Sequence, residues 1–183
     1  MRTFIAIEIP AELKQKIVAI QKKIAETGAD IKLVEPENLH YNLKFLGEID
    51  QKTAEKVKNA LSNVSFPAFD IHISCLGTFP SLSHIRVVWL GVKEGSQQLA
   101  ALAATVEEAL AGIGIAREQR PFTPHLTLGR VTSAKAKDAL VATIKDLQTT
   151  DIGIARIDKM VFFESKLTPK GPIYTPLHVV ELK

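Results

Sequence analysis

Two short stretches of the chain place a histidine two residues ahead of a short polar side chain. These are His40 and Asn42 in "LHYNLKFLGE" (Leu39 to Glu48), and His125 and Thr127 in "FTPHLTLGR" (Phe122 to Arg130). Residues i and i+2 of a β-strand point to the same side, so each stretch, if extended, offers an imidazole beside a hydrogen-bonding group. The intervening positions are apolar, with Leu39, Tyr41 and Leu43 in the first stretch and Leu126 and Leu128 in the second, and these are expected to pack into the core. Two imidazoles on either side of a bound group suit in-line displacement at phosphorus, where one takes a proton from the attacking oxygen and the other gives one to the leaving oxygen. An unperturbed imidazole pKa of about 6.5 populates both protonation states near neutral pH. Hydroxyl and amide donors beside the rings would hold the nonbridging oxygens.

Other chemistries have weaker signals. No carboxylate or cysteine accompanies His40 or His125 at ligand spacing and there is no His-Glu-x-x-His pattern, which argues against a metal site. A Gly-x-Ser-x-Gly elbow for serine catalysis is also missing. His72, His84 and His178 are read as ordinary core or surface histidines. Cys75 is the only cysteine, so an internal disulfide and a zinc site built on several cysteines are excluded, and core packing is its expected role. Trp89, in the alternating "RVVWLGV", is also expected in the core.

The elements that must carry the two histidines follow from periodicity. "RTFIAIEI" alternates as a strand; Pro10 then opens a helix to about Thr27, with Leu13, Ile17, Ile20 and Ile24 at helical spacing. A strand from about His40 to Leu46, a helix over Lys52 to Ser62 and a strand through "AFDIHISCLG" complete a first half. The second half repeats the order: strand "HIRVVWLGV", helix Gln97 to Leu110, histidine strand Pro124 to Val131, helix "SAKAKDALVATIKDL" and extended "IGIARIDKMVFFES". No glycine-rich strand-to-helix turn for nucleotide phosphates is present, since "GIGIA" at Gly112 to Ala116 follows a helix. The expected fold is therefore α+β: a single bilobal domain over residues 1–183, with pseudo-two-fold duplicated lobes at about 1–78 and 84–165 and a returning C-terminal strand. Each lobe is an antiparallel sheet with helices on its outer face, and the active-site cleft lies between the sheets.

The 183 residues are enough for a sizeable core. The composition, 46% hydrophobic and 23% charged with a formal charge of +3, is that of a folded globular chain with a mild basic excess that suits an anionic substrate. "FIAIEIP" lacks the features of a signal peptide, and no apolar run reaches the roughly 20 residues that cross a bilayer. A cytoplasmic protein with no membrane partner is expected.

At these motifs the chain resembles the 2H phosphoesterase superfamily, named for two His-x-Thr/Ser-x motifs, and within it the RNA 2',3'-cyclic phosphodiesterases, also called 2'-5' RNA ligases. The likeness extends through "RTFIAIEIP", "RVVWLGV" and the late "SKLTPKGPIYTPL". It implies hydrolysis of a terminal 2',3'-cyclic phosphate to a 2'-phosphate without metal or cofactor, with reversible 2'-5' ligation as a second activity. Carried over by motif, His125 is the general base, His40 the general acid, and Asn42, Thr127 and Arg130 bind phosphate. In a regular strand Arg130 would point away from His125. Asn42 stands where the family has threonine or serine, which leaves open an RNA-end-binding module with weak or no catalysis. Phe122, beside the second motif, and Tyr174, in the loop "KLTPKGPIYTP", are candidates for substrate contact. The implied partners are RNA ends with a 2',3'-cyclic phosphate, tRNA halves among them, or small cyclic nucleotides, bound by a monomer.

Overall fold

The computed structural model describes residues 1–183 and contains two antiparallel sheets and four α-helices. In chain order the elements are β1 (Arg2–Glu8), α1 (Ala11–Ala25), β2 (Ile31–Leu33), β3 (His40–Glu48), α2 (Gln51–Ser62), β4 (Phe69–Pro80), β5 (Ile85–Val92), α3 (Ser96–Ala111), β6 (Leu126–Val131), α4 (Lys137–Leu147), β7 (Asp151–Ile157), β8 (Lys159–Thr168) and β9 (Gly171–Glu181). No helix is long and apolar enough to cross a membrane.

The first sheet runs β3-β1-β8-β9 and the second β2-β6-β5-β4-β7. Each sheet therefore places its histidine strand beside the opening strand of the same half, and then takes its third strand from the other half. β4 leaves the first half to pair with β5 (Gly77 opposite Trp89), and β8 leaves the second to pair with β1 (Phe4 opposite Phe163). The stretch read as one extended segment over residues 152–165 is thus two strands in opposite sheets, divided at Asp158.

Amphipathic helices cover the apolar faces. α1 buries Leu13, Ile17, Ile20 and Ile24, each worth about 1.5–3 kcal/mol of transfer free energy as an upper estimate. Leu39, Tyr41, Leu43, Leu126 and Leu128 join the same apolar core, which continues through both sheets. Tyr41 is fully buried, and its hydroxyl donates to the Gly91 carbonyl at 3.0 Å, tying β3 to β5.

Three expectations are corrected. α4 begins at Lys137 and not at Ser133, because Ala136 takes a left-handed conformation (φ 54°) that a continuing helix cannot accommodate. Cys75 is exposed and not in the core: it occupies a bulge between Ser74 and Leu76, also with positive φ (69°), which turns its side chain outward. The "KLTPKGPIYTP" segment is no loop but the β8–β9 hairpin, closed where the Thr168 hydroxyl donates to Gly171 O at 2.6 Å. The two prolines of β9, Pro172 and Pro176, are tolerated because β9 is the edge strand.

Candidate active site

His40 opens β3, directly after a single 3-10 turn over Pro36–Asn38. His125 directly precedes β6, after Pro124. The two rings are anchored alike: Nδ1 of His40 lies 2.6 Å from the Asn38 carbonyl, and Nδ1 of His125 lies 2.8 Å from the Thr123 carbonyl. A carbonyl only accepts, so in each ring Nδ1 carries the proton and donates it to the backbone two residues upstream. Nε2 is the free nitrogen, a base in the neutral ring and an acid in the charged one. Asn38 is itself fixed, its side-chain Nδ2 donating to Pro172 O at 3.0 Å, so the anchor of His40 is tied to the β8–β9 hairpin.

Both histidine strands are bulged just beyond their polar residue. In β6, Thr127 lies opposite Trp89 and Gly129 opposite Val88, leaving Leu128 without an opposite residue. In β3, Asn42 lies opposite Ala6 and Lys44 opposite Ile5, leaving Leu43 over. An extra residue reverses the side-chain alternation beyond it. The residue five positions after each histidine therefore returns to the histidine's face: Arg130 in one strand, Phe45 in the other, and both line the cleft. This resolves the difficulty with Arg130, which an unbroken strand would have turned away.

Each bulge is held by polar contacts from outside its own sheet pairing. The Leu128 carbonyl accepts from Val34 N and from Nε2 of the buried Gln21 on α1, both at 2.9 Å. Gly129 is needed here because a Cβ would stand 2.9 Å from the Ile31 side chain and 3.0 Å from Lys32 O. In β3 the buried Lys44 is turned onto the core side, where Nζ meets Glu107 Oε1 at 2.9 Å and Ala116 O at 2.8 Å. Gln21 and Lys44 were missed in the sequence. Each is a polar residue in an apolar setting, which is the signal that could have marked them.

His40, Asn42, His125, Thr127, Arg130 and Tyr174 line one cleft of about 390 Å³. Arg2, Lys32 and Lys170 add positive charge against a single carboxylate, Glu35. Arg2 lies over the Phe45 ring, 5.1 Å from its centroid. Burial holds the His40 imidazole below the usual histidine range; the nearby His125 adds to the effect, while the Asn38 carbonyl and Glu8 oppose it. Burial raises the Tyr174 hydroxyl, with Arg130 and Arg2 opposing. The Asn42 Oδ1 is buried without a hydrogen-bond partner.

Aromatic rings support each imidazole in matching fashion. His40 lies 5.1 Å from the Phe4 ring and 5.5 Å from Tyr174; His125 lies 5.1 Å from Phe79 and 6.3 Å from Trp89. Trp89 is therefore half-buried beneath His125 and not a core residue. Its neighbours Val88 and Leu90 take the core side, and Gly77 leaves room for its indole where any Cβ would collide with the ring. Phe122 does not line the cleft and packs against the main core instead.

The remaining histidines lie elsewhere. His72 has Ser74 two residues on, so the pattern alone would admit it, but both ring nitrogens are taken by carboxylates, Glu94 and Asp151, each at 2.7 Å. These partners raise its pKa, Asp151 most. His84 accepts from Arg86, and His178 meets Ser62.

Comparison with known proteins gives a consistent picture. The family model for the 2'-5' RNA ligase superfamily matches residues 9–166. A protein named RNA 2',3'-cyclic phosphodiesterase from Methanothermobacter thermautotrophicus is 35% identical over 184 residues, covering 100% of this chain and 99% of that one. Its namesake from Archaeoglobus fulgidus is 38% identical over 182 residues, covering 99% and 100%. Among solved structures, Escherichia coli LigT complexed with 3'-AMP superimposes with a TM-score of 0.79 at 26% identity, over 99% of this chain and 97% of that one.

Proposed function

The chain belongs to the 2'-5' RNA ligase superfamily, and from that premise we propose that it is an RNA 2',3'-cyclic phosphodiesterase working by two-histidine acid–base catalysis. The observation that carries the reading is the pair of imidazoles lining one cationic cleft, each with Nδ1 bound to a backbone carbonyl and Nε2 free. The cyclic phosphate binds between them. His125 Nε2 takes a proton from water as its oxygen bonds to phosphorus, and the P–O3' bond breaks. His40 Nε2–H gives its proton to the departing O3', leaving a 2'-phosphate and a 3'-hydroxyl. Thr127, the Asn42 amide and Arg130 hold the nonbridging oxygens, charge-assisted contacts that strengthen as negative charge grows on them.

The same residues serve 2'-5' ligation when a 5'-hydroxyl replaces water as the attacking group. RNA ends with a cyclic phosphate, including tRNA halves, and small cyclic nucleotides all present this phosphate, and Tyr174 beside His40 offers a ring face to the terminal base or ribose. Asn42 in place of a hydroxyl favours a second reading, an RNA-end-binding module that retains the cyclic end and turns it over weakly.

The reading is tested by turnover of a cyclic-phosphate RNA end by EDTA-treated protein across pH. As the general acid His40 must start protonated, and its pKa is depressed in the free protein. The descending limb of kcat/KM, which reports the free enzyme, is therefore expected below the ordinary imidazole value of about 6.5. Bound phosphate restores charge balance around His40, so the corresponding limb of kcat should lie at higher pH. A kcat/KM that instead rises through this range would exchange the roles of the two histidines, and binding without turnover at any pH would support the module.

A further inference from the structure

The six arginines divide sharply. Arg117, Arg120 and Arg156 are paired with the carboxylates Glu108, Glu118 and Asp70. Arg2, Arg86 and Arg130 have no carboxylate partner; Arg2 lines the cleft, Arg86 lines a second groove of about 610 Å³, and Arg130 lines both. That groove lies between the start of β5, the end of its partner β6 and the start of α4, and its charged lining residues are Arg86, Arg130, Lys135 and Lys137, with no carboxylate among them. The left-handed Ala136, at φ 54°, sits between the two lysines, a conformation that a residue with a Cβ rarely adopts. Arg86 donates to the unprotonated Nε2 of His84, so the imidazole leaves the positive charge uncancelled. The Ser133 hydroxyl is bonded to Asp30, and that of Thr132 donates to Asp30 O at 3.2 Å.

Four like charges in one groove repel each other and are balanced when an anion lies among them. The groove meets the cleft at Arg130, so its ligand is continuous with whatever occupies the cleft. We propose that it binds the backbone phosphates of the RNA strand on the 5' side of the cyclic end. This rests on the reading of the cleft as the site for that end. The terminal nucleotide carries the cyclic phosphate on its 2' and 3' oxygens, so the strand can continue only through its 5' oxygen, and phosphates beyond the cleft belong to that side. Arg130 stands at the junction, and Arg86, Lys135 and Lys137 follow the strand outward. The contacts are to phosphate and so carry no base sequence. The groove separates polymeric RNA ends from cyclic mononucleotides, which have no phosphate to place in it.

The test uses the full chain and the triple variant R86Q/K135Q/K137Q, exposed substitutions that leave the core untouched. Binding of a fluorescent oligoribonucleotide ending in a 2',3'-cyclic phosphate is followed by anisotropy across a salt series. Turnover of the same RNA is compared with that of 2',3'-cyclic AMP. For single strands each lost phosphate contact lowers the slope of log affinity against log salt by about 0.7, so the triple variant should lose about 2 from the slope. The kcat/KM ratio of oligonucleotide to cyclic AMP should fall about tenfold or more. An unchanged slope together with an unchanged ratio would overturn the assignment of the groove. If the wild-type protein turns over neither substrate, the proposed function fails, and the salt slope alone decides the groove.

Discussion

Alanine at position 40 or at position 125 is expected to lower turnover of a cyclic-phosphate RNA end by about 10²- to 10⁴-fold, the scale of losing a positioned acid or base. Neither ring is needed to hold the sheets together: both are half-buried at the cleft and spend only Nδ1 on a backbone carbonyl. The variants should therefore remain folded, and the loss should fall on kcat more than on KM. The two losses should also be non-additive, because once either proton transfer is gone the other histidine has little left to assist. His72→Ala is the matched control, since it removes contacts to Glu94 and Asp151 outside the cleft and should leave turnover nearly unchanged. Equal losses in all three single variants would mean that stability, and not chemistry, is being measured. The His125→Ala protein offers a further check, in that removal of the neighbouring imidazole should raise the His40 pKa when followed by NMR.

The second large effect is expected at Asn42. Its side chain lines the cleft, with the amide oxygen buried and without a hydrogen-bond partner. A bound phosphate only accepts, so the contact to it comes from the NH2 group, the other end of the amide. Asn42→Ala should then cost about 1–3 kcal/mol of transition-state stabilisation, the value of a hydrogen bond to a charged group. Asn42→Thr should match or exceed the wild type, because threonine supplies a hydroxyl donor and suits a strand better. Single-turnover measurement of both variants separates chemistry from product release. Alanine equal to asparagine, with threonine no better than either, would show that position 42 does not touch the phosphate and that the first motif acts through His40 alone.

Much of this arrangement was legible in the sequence because it depends on local pattern. Period-two alternation marks β1, β3 and β5, and the spacing of Leu13, Ile17, Ile20 and Ile24 marks α1. The His-x-polar pairs point to the faces that line the cleft. Pairing between distant segments was not legible, because it has no local signature. The bulges at Leu43 and Leu128 exist only relative to β1 and β5, and they decide that Arg130 and Phe45 face the cleft. The exchange of β4 and β8 between the halves is equally non-local. It accounts for the division of residues 152–165 into strands of two sheets. Trp89 and Cys75 illustrate the limit of hydrophobicity as a guide. One lies under an imidazole and the other on a bulge, and both positions follow from register shifts between paired strands. Phe122 shows the converse, since closeness in sequence to His125 does not bring its ring to the cleft.

The central claim is that two histidines open a ribose 2',3'-cyclic phosphate by expelling the 3' oxygen, and the most direct measurement is the position of the phosphate in the product. EDTA-treated protein is incubated with 2',3'-cyclic AMP and with an oligoribonucleotide ending in the cyclic phosphate, and the terminal monoester is identified by phosphorus NMR against both authentic isomers. The account predicts the 2'-phosphate alone. A 3'-phosphate, or product that forms only after a divalent cation is restored, would contradict it.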